Sequence, residues 1–270
     1  DNVQDFLGMC GLPIVLTPYF PETAPTLLLT RSSACDPQIV DKLEAYVAKG
    51  GKAIVTTGFM EATQERGIRR MTSIRMAGRR VSMNDYMIER TDGDDSCRML
   101  YAHGREDVTI PVAEFRNNAT WALVKGVKSE ENYAMLLRDT YGKGQLLTLT
   151  VPDAYGELKR LPADVLTRIR AELPVNGVYL EAPSRISLFA YDNDAYVLYA
   201  YVEDGAQDAL VRLHVQGKAK RVVAHPLEEK RIEPLNLIER VAEPLYANAH
   251  ETVFEATVKP GKYRVFSIER

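Results

Sequence analysis

The residues best placed to do chemistry are Thr56-Thr57-Gly58-Phe59, which follow the apolar run beginning at Lys52. A strand that turns sharply into a helix is where many α/β enzymes expose a nucleophile. Here that turn carries Thr57 and Gly58, with no Cys and no Gly-x-Ser-x-Gly pattern. A hydroxyl at such a place needs an adjacent base and an oxyanion hole to become a nucleophile. None of His103, His214, His225 or His250 begins a His-x-Glu pair that could serve. The junction therefore reads as a vestigial elbow, and no residue is assigned a catalytic role. Cys10, in Gly8-Met9-Cys10-Gly11, has superficially similar surroundings but reads as the end of a helix.

Other clusters have plainer readings. Asp92-Gly93-Asp94-Asp95 groups carboxylates as calcium prefers, but without the EF-hand spacing, and reads as a solvated turn. Arg66, Arg69, Arg70, Arg75, Arg79 and Arg80 form a basic stretch, read as a solvated or ion-pairing face and not as a nucleic-acid site. Tyr191, Tyr196, Tyr199 and Tyr201 crowd one hairpin. Tyrosine is an ordinary strand former, and it can also stack on sugar rings, so Tyr196, Tyr199 and Tyr201 are the candidate carbohydrate contacts. Trp121 lies inside an expected strand and reads as a packing residue. Three scattered cysteines, Cys10, Cys35 and Cys97, fit neither a disulfide framework nor a zinc site. No metal ligand and no cofactor is assigned, and the compartment is left open.

The elements that hold these residues fall into two expected domains, 1–175 and 176–270. With 270 residues, 46% hydrophobic and 26% charged, the chain has room for two cores. A net charge of −3 gives no global attraction to nucleic acid or to an anionic membrane. In the first domain Asp1–Gly11 reads as a helix, Ile14–Leu16 as the start of a strand, and Thr26–Thr30 as another. Asp36-Pro37 opens a helix whose Ile39, Val40, Leu43, Tyr46 and Val47 share one face, and Gly50-Gly51 stops it. Lys52–Thr57 follows as a strand, and Phe59–Glu65 starts a helix. A period near two then takes over, with an Ala77-Gly78 turn and strands at Arg98–Ala102, Val108–Val112, Thr120–Val127, Ala134–Thr140 and Gln145–Thr150. Pro162–Leu173 reads as a closing helix.

The second domain reads as an antiparallel β-sandwich. Its strand pairs flank Tyr191-Asp192-Asn193-Asp194, Gln216-Gly217-Lys218 and Pro260-Gly261. A parallel sheet that opens on a helix calls for an earlier strand, so the chain is expected to be the C-terminal piece of something longer.

The run Phe6–Pro13, the Thr26–Thr30 strand, the helix ending in Gly50-Gly51 and the Lys52–Thr57 strand together resemble the amidotransferase-like domain of family 42-type β-galactosidases. In those glycoside hydrolases this domain follows a catalytic barrel and drives trimerisation, and a small sandwich comes after it. The segment Pro260-Gly261-Lys262-Tyr263-Arg264-Val265 is similar to the end of that sandwich. The resemblance implies an α/β, flavodoxin-like fold with β-rich insertions, because 67–140 is longer and richer in strands than the pattern. It implies a non-catalytic, oligomerising or bracing C-terminal region of a glycoside hydrolase. Its partners would be an upstream barrel or a sister subunit in a homo-oligomer, with carbohydrate as a further contact, and no nucleic acid or membrane. The family's catalytic carboxylates belong to the barrel, so none is carried over. A carbohydrate-binding module and a self-standing amidotransferase-like hydrolase are the alternatives.

Overall fold

The computed structural model describes residues 7–91, 97–152, 156–203, 205–217, 219–225, 239–240 and 251–270. Their chain forms two compact units. One comprises the described residues of Val15–Glu89 and Leu100–Arg160, the other those of Gln4–Ile14, Arg90–Met99 and Leu161–Arg270.

The first unit is built on a seven-stranded mixed sheet in the order β1-β2-β7-β6-β5-β3-β4. Strand β1 (Thr26–Leu29) pairs in parallel with β2 (Lys52–Thr56), and β2 with β7 (Gly144–Leu149). Helix α1 is described over residues 7–9, and α2 (Ile39–Ala48) makes the crossover between β1 and β2. Asp36 sets the entry to α2 one turn early. Its carboxylate accepts the Gln38 N–H at 2.8 Å and pairs with Lys42 at 2.7 Å. The expected stripe Ile39, Val40, Leu43, Tyr46 and Val47 is buried on the sheet beside Leu27, Leu29, Ala53 and Val55. Gly50 ends the helix at φ 114°, a left-handed value that costs glycine little. Between β2 and β7 come α3 (Thr57–Thr63) and four strands: β3 (Ile74–Thr91), β4 (Cys97–Phe115), β5 (Trp121–Lys128) and β6 (Glu131–Tyr141).

This insertion turns the sheet antiparallel from β7 outward. The molecule is accordingly richer in strand than an α/β domain, with three parallel strands carrying the only βαβ unit among the described residues. The expected Ala77-Gly78 turn lies inside β3, with Gly78 at φ 72°, and Arg98–Ala102 and Val108–Val112 fuse into β4. A local Gly signals backbone freedom, and whether the chain reverses there is decided by its partner strand. Conversely, Ser129 and Glu130 make the tight β5–β6 turn with positive φ at both residues, a geometry sequence would assign to Asn-Gly. Ile14–Leu16 is not a strand: Val15 is 91% exposed and no sheet receives the segment.

The second unit holds two four-stranded antiparallel sheets, β12-β15-β10-β9 and β13-β14-β11-β8. The strands are β8 (Val178–Glu181), β9 (Ile186–Ala190), β10 (Ala195–Ala200), β11 (Ala209–Gln216), β12 (Arg221–His225), β13 (Glu239–Arg240), β14 (Glu251–Val258) and β15 (Tyr263–Glu269). Alternate residues of both sheets, among them Leu180, Leu198, Val211, Leu213, Phe254 and Phe266, meet in one core. Of the three expected hairpins, only β9–β10 pairs across its own turn. Strand β11 pairs with β8 and β14, whereas β12 pairs with β15, so the turns at Gly217 and Gly261 cross between sheets. Turn residues mark a reversal and do not say which sheet receives the next strand.

Helix α4 (Ala163–Arg170) belongs to this unit and ends in a wholly buried arginine. The Arg170 guanidinium donates to the carbonyls of Cys10 (Nε, 2.7 Å), Ala182 and Pro183 (Nη2, 3.0 Å). Burial lowers its pKa to about 10, which still leaves it charged at neutral pH. Gly11, at φ 74°, lets the end of α1 approach closely: a Cβ there would stand 2.7 Å from the Ile186 carbonyl oxygen. Ser187 Oγ donates to the Gly8 carbonyl at 2.7 Å beside it.

Arg170→Met is expected to destabilise this unit by about 3 kcal/mol, because three buried carbonyls lose their donor at once. Urea unfolding followed by circular dichroism measures it, and an unchanged midpoint would refute the anchoring role.

Candidate functional site

Period-two alternation decides which tyrosines of β10 can meet a ligand. Tyr196, Leu198 and Ala200 point inward and are buried, leaving Val197 and Tyr199 on the outer face. Tyr196 stacks on Phe266 with ring centroids 5.4 Å apart and donates to Asp194 at 3.1 Å. Burial, with the nearby Asp194 carboxylate, pushes its pKa up to about 12. The expectation that Tyr196 contacts carbohydrate is thus corrected: it is a core residue, and the even position on the strand is the reason.

Tyr199 and Tyr201 do lie together on the outer side. Their rings meet edge to face, with centroids 4.9 Å apart. Strand register brings Tyr263 opposite Tyr199, with centroids 4.5 Å apart and planes tilted by 30°. Phe189 stands opposite Val197 on the next strand and is 45% exposed, and Tyr263 is 49% exposed. Ser187 Oγ lies 3.2 Å from the Tyr201 hydroxyl and fixes that ring at one end of the row. On the same face, His225 Nε2 meets Ser267 Oγ at 2.8 Å. Such a surface offers flat apolar rings with hydroxyls at their edges, which is chemistry for binding an amphipathic face and not for breaking a bond. Sequence reading missed Tyr263 and Phe189. Tyr263 follows Pro260-Gly261 by two residues, but its alignment with Tyr199 depends on a strand pairing of non-adjacent segments.

The elbow is structurally quiet. Strand β2 ends at Thr56 (φ −90°, ψ 168°) and α3 begins at Thr57. Thr57 is not among the residues with positive φ, so the strained turn that exposes a nucleophile is not formed here. Thr57 and Gly58 are buried, and the Thr56, Thr57 and Thr148 hydroxyls have no hydrogen-bond partner among the described residues. A buried hydroxyl reaches no substrate.

The basic stretch is largely consumed by the first unit's own surface. Arg66 donates to the carbonyls of Ala34 and Asp36, each at 2.6 Å. Arg69 pairs with Glu65, Arg70 with Glu44 and Asp41, and Arg75 with Glu114. Arg69, Arg70 and Arg116 border a cleft of about 450 Å³ with Asp139 among its lining residues. The Asp139 carboxylate accepts the Thr120 and Thr72 hydroxyls at 2.5 and 2.7 Å and the Ser73 N–H at 3.2 Å. Burial nevertheless raises its pKa. This carboxylate fastens 72–73 to β6, and nothing in sequence marked it. Trp121, expected to pack, is 55% exposed, with its indole N–H donating to Glu89. The Asp92–Asp95 turn and His250 lie outside the described residues. Among the described residues no group of three or more His, Cys, Asp or Glu is arranged for a metal, and no helix is long and apolar enough to cross a membrane.

Comparison with known proteins gives two family matches. Residues 1–154 match the family described as the second domain of the uncharacterised protein SSO3021. Residues 177–268 match the C-terminal domain of a probable glycosyl hydrolase. No curated protein matches the chain. Among solved structures, a catalytic mutant of Gan42B, a GH42 β-galactosidase from G. stearothermophilus, is 12% identical over 98% of this chain and 35% of that one, with a TM-score of 0.43. A β-galactosidase from Bacillus circulans sp. alkalophilus is 13% identical over 98% of this chain and 36% of that one, with a TM-score of 0.41. One from Rahnella sp. R3 is 11% identical over 97% and 35%, with a TM-score of 0.40. The chain spans about a third of the length of these structures.

Removing the orphan hydroxyl is expected to do no harm. Thr57→Val should hold or raise stability, by up to about 1 kcal/mol, because a buried donor without a partner is a cost. Thermal unfolding measures this, and a loss of more than about 1 kcal/mol would mean that the hydroxyl has a partner.

Proposed function

Because the chain belongs to the family of the SSO3021 second domain, and its sandwich matches a glycosyl-hydrolase C-terminal domain, we propose that it is a non-catalytic bracing and oligomerising region of a glycoside hydrolase. The match over residues 177–268 carries this reading, since it spans strands β8 to β15 almost end to end. The βαβ unit β1-α2-β2, with β7 alongside, supports an amidotransferase-like origin for the first domain. The burial of Thr57 supports a scaffold in which that fold's usual chemistry is not exercised. We place the boundary between the two family-matched regions near residue 175, with α4, which precedes it in the chain, packed into the second unit, and the partners are an upstream catalytic barrel and sister subunits.

The aromatic row favours a second role. Tyr199 and Tyr201, extended by Tyr263 and Phe189, would hold a polysaccharide chain near the catalytic domain. Ring stacking against sugar is short-ranged and individually weak, so a row of rings is the arrangement such binding requires.

Three measurements test these readings. The purified 270-residue chain is expected to turn over no chromogenic galactoside, and light scattering on the parent protein is expected to give a homo-oligomer. Turnover abolished by a single Asp or Glu substitution would overturn the first expectation, and a monomer at micromolar concentration the second. In affinity electrophoresis through galactan-containing gels, Tyr199→Ala combined with Tyr263→Ala should abolish retardation. Equal migration of wild type and variant at every polysaccharide concentration would remove the carbohydrate role and leave the bracing role standing.

A further inference from the structure

The outer face of the second sandwich sheet is ionic where that of the first is aromatic. Inward positions of β8, β11 and β14 supply the core, and the alternate positions supply Tyr179, Glu181, Arg212, His214, Glu251 and Glu255. His214 is at the centre and wholly buried. Its Nε2 lies 3.1 Å from Glu181 Oε2 on β8, and its Nδ1 lies 3.4 Å from Glu251 Oε2 on β14. The Tyr179 ring stacks on the imidazole, with centroids 4.5 Å apart and planes 18° apart, and its hydroxyl donates to Glu251 at 2.9 Å. Arg212 joins Glu181 at 2.6 Å to Glu255 at 3.0 Å. Helix α4 brings the Arg168–Glu172 pair, 2.5 Å apart, and the Arg168 charge acts on the Tyr179 hydroxyl.

An ionised carboxylate only accepts, and a neutral imidazole has one N–H to give. Both ring nitrogens face carboxylates, so both interactions are satisfied together only by the imidazolium. The charges agree: among the described residues of the cluster, four carboxylates, Glu172, Glu181, Glu251 and Glu255, stand against the guanidiniums of Arg168 and Arg212. One further cation brings the cluster to within one charge of balance.

We infer that His214 is a proton-operated clasp: as an imidazolium it ties β8 to β14 across β11, and loss of its proton loosens this sheet and the grip of α4 upon it. Burial alone would expel the proton, but the hydrogen bonds and charges of Glu181 and Glu251 outweigh it and raise the His214 pKa above the ordinary 6.5. Glu181 is correspondingly held below its usual range: burial acts against ionisation, and His214 and Arg212 more than offset it. The sign follows. The unfolded chain releases the His214 proton near pH 6.5, and the fold keeps it to higher pH. The clasp's contribution is therefore complete below the ordinary value and is lost as pH rises through the elevated one.

The test uses the whole chain. Nitrogen-15 NMR of the histidine rings at pH 7, with the His214→Gln spectrum assigning the resonance, should show both His214 nitrogens protonated. Urea unfolding between pH 6 and 10 should show the folded-to-unfolded ratio falling about tenfold for each unit by which the pocket raises the pKa. His214→Gln should lack this step, and Glu181→Gln should move it to lower pH. A single neutral tautomer at pH 7, with the proton on Glu251 or Glu181 instead, would overturn the inference. So would an alkaline step of unchanged size in His214→Gln. Should that variant not fold, the Glu181→Gln shift and the wild-type spectrum, assigned by its coupling to Tyr179, decide the matter.

Discussion

The second unit depends on one buried cation. Arg170 has no carboxylate among its three hydrogen-bond acceptors; they are the carbonyls of Cys10, Ala182 and Pro183, drawn from two distant segments of chain. Backbone carbonyls at the end of α1 and in the β8–β9 connection cannot pair with a sheet, and away from water each would carry a desolvation cost. A guanidinium is the side chain that satisfies several at once, because its donors are fixed in one plane. Lysine would offer a point charge without the fork. The arginine therefore ties the end of α1 and the β8–β9 connection to α4, and Gly11 leaves the room for this, since a Cβ there would stand 2.7 Å from the Ile186 carbonyl oxygen.

Strand alternation gives the outer faces of the sandwich opposite chemistry. The β12-β15-β10-β9 face carries tyrosines and a phenylalanine with half of some rings in solvent. The β14-β11-β8 face carries acids and an arginine, partly exposed at its edge, around one histidine packed out of solvent. A half-exposed aromatic row leaves ring surface open to solvent. A buried ionic cluster suits permanence, because breaking it leaves charges without partners. The same scaffold thus presents one aromatic face, partly open to solvent, and one ionic face centred on a buried histidine.

The first unit joins two kinds of strand pairing in one sheet. Its parallel portion is short, and the long insertion converts the rest of the sheet to antiparallel pairing. The strand-to-helix junction at Thr56–Thr57 keeps ordinary backbone geometry and buries its hydroxyls. An enzyme stores strain at this position to expose a nucleophile. The proposed bracing role requires no such strain.

The sequence by itself determined the local elements whose signals are short-ranged. The stripe of α2, the Asp36 entry, the Gly50 stop and the strand of buried Val and Ile after it were all legible, because each depends on residues within a few positions. The residue types at the elbow, Thr57 and Gly58 without a Cys or a Gly-x-Ser-x-Gly pattern, are read directly from the sequence. Only the tertiary structure decided which strands pair: Gly217 and Gly261 mark reversals in either case, but the sheet that receives β12 or β15 is chosen by the core they share. It decided that Tyr196 turns inward while Tyr199 meets Tyr263, since a face is defined only once register is set. It also assembled Arg170 with Cys10, 160 positions apart in sequence, and His214 with Glu181 and Glu251. No periodicity encodes such meetings, because burial free energy rewards the contact and is indifferent to the length of chain between its partners.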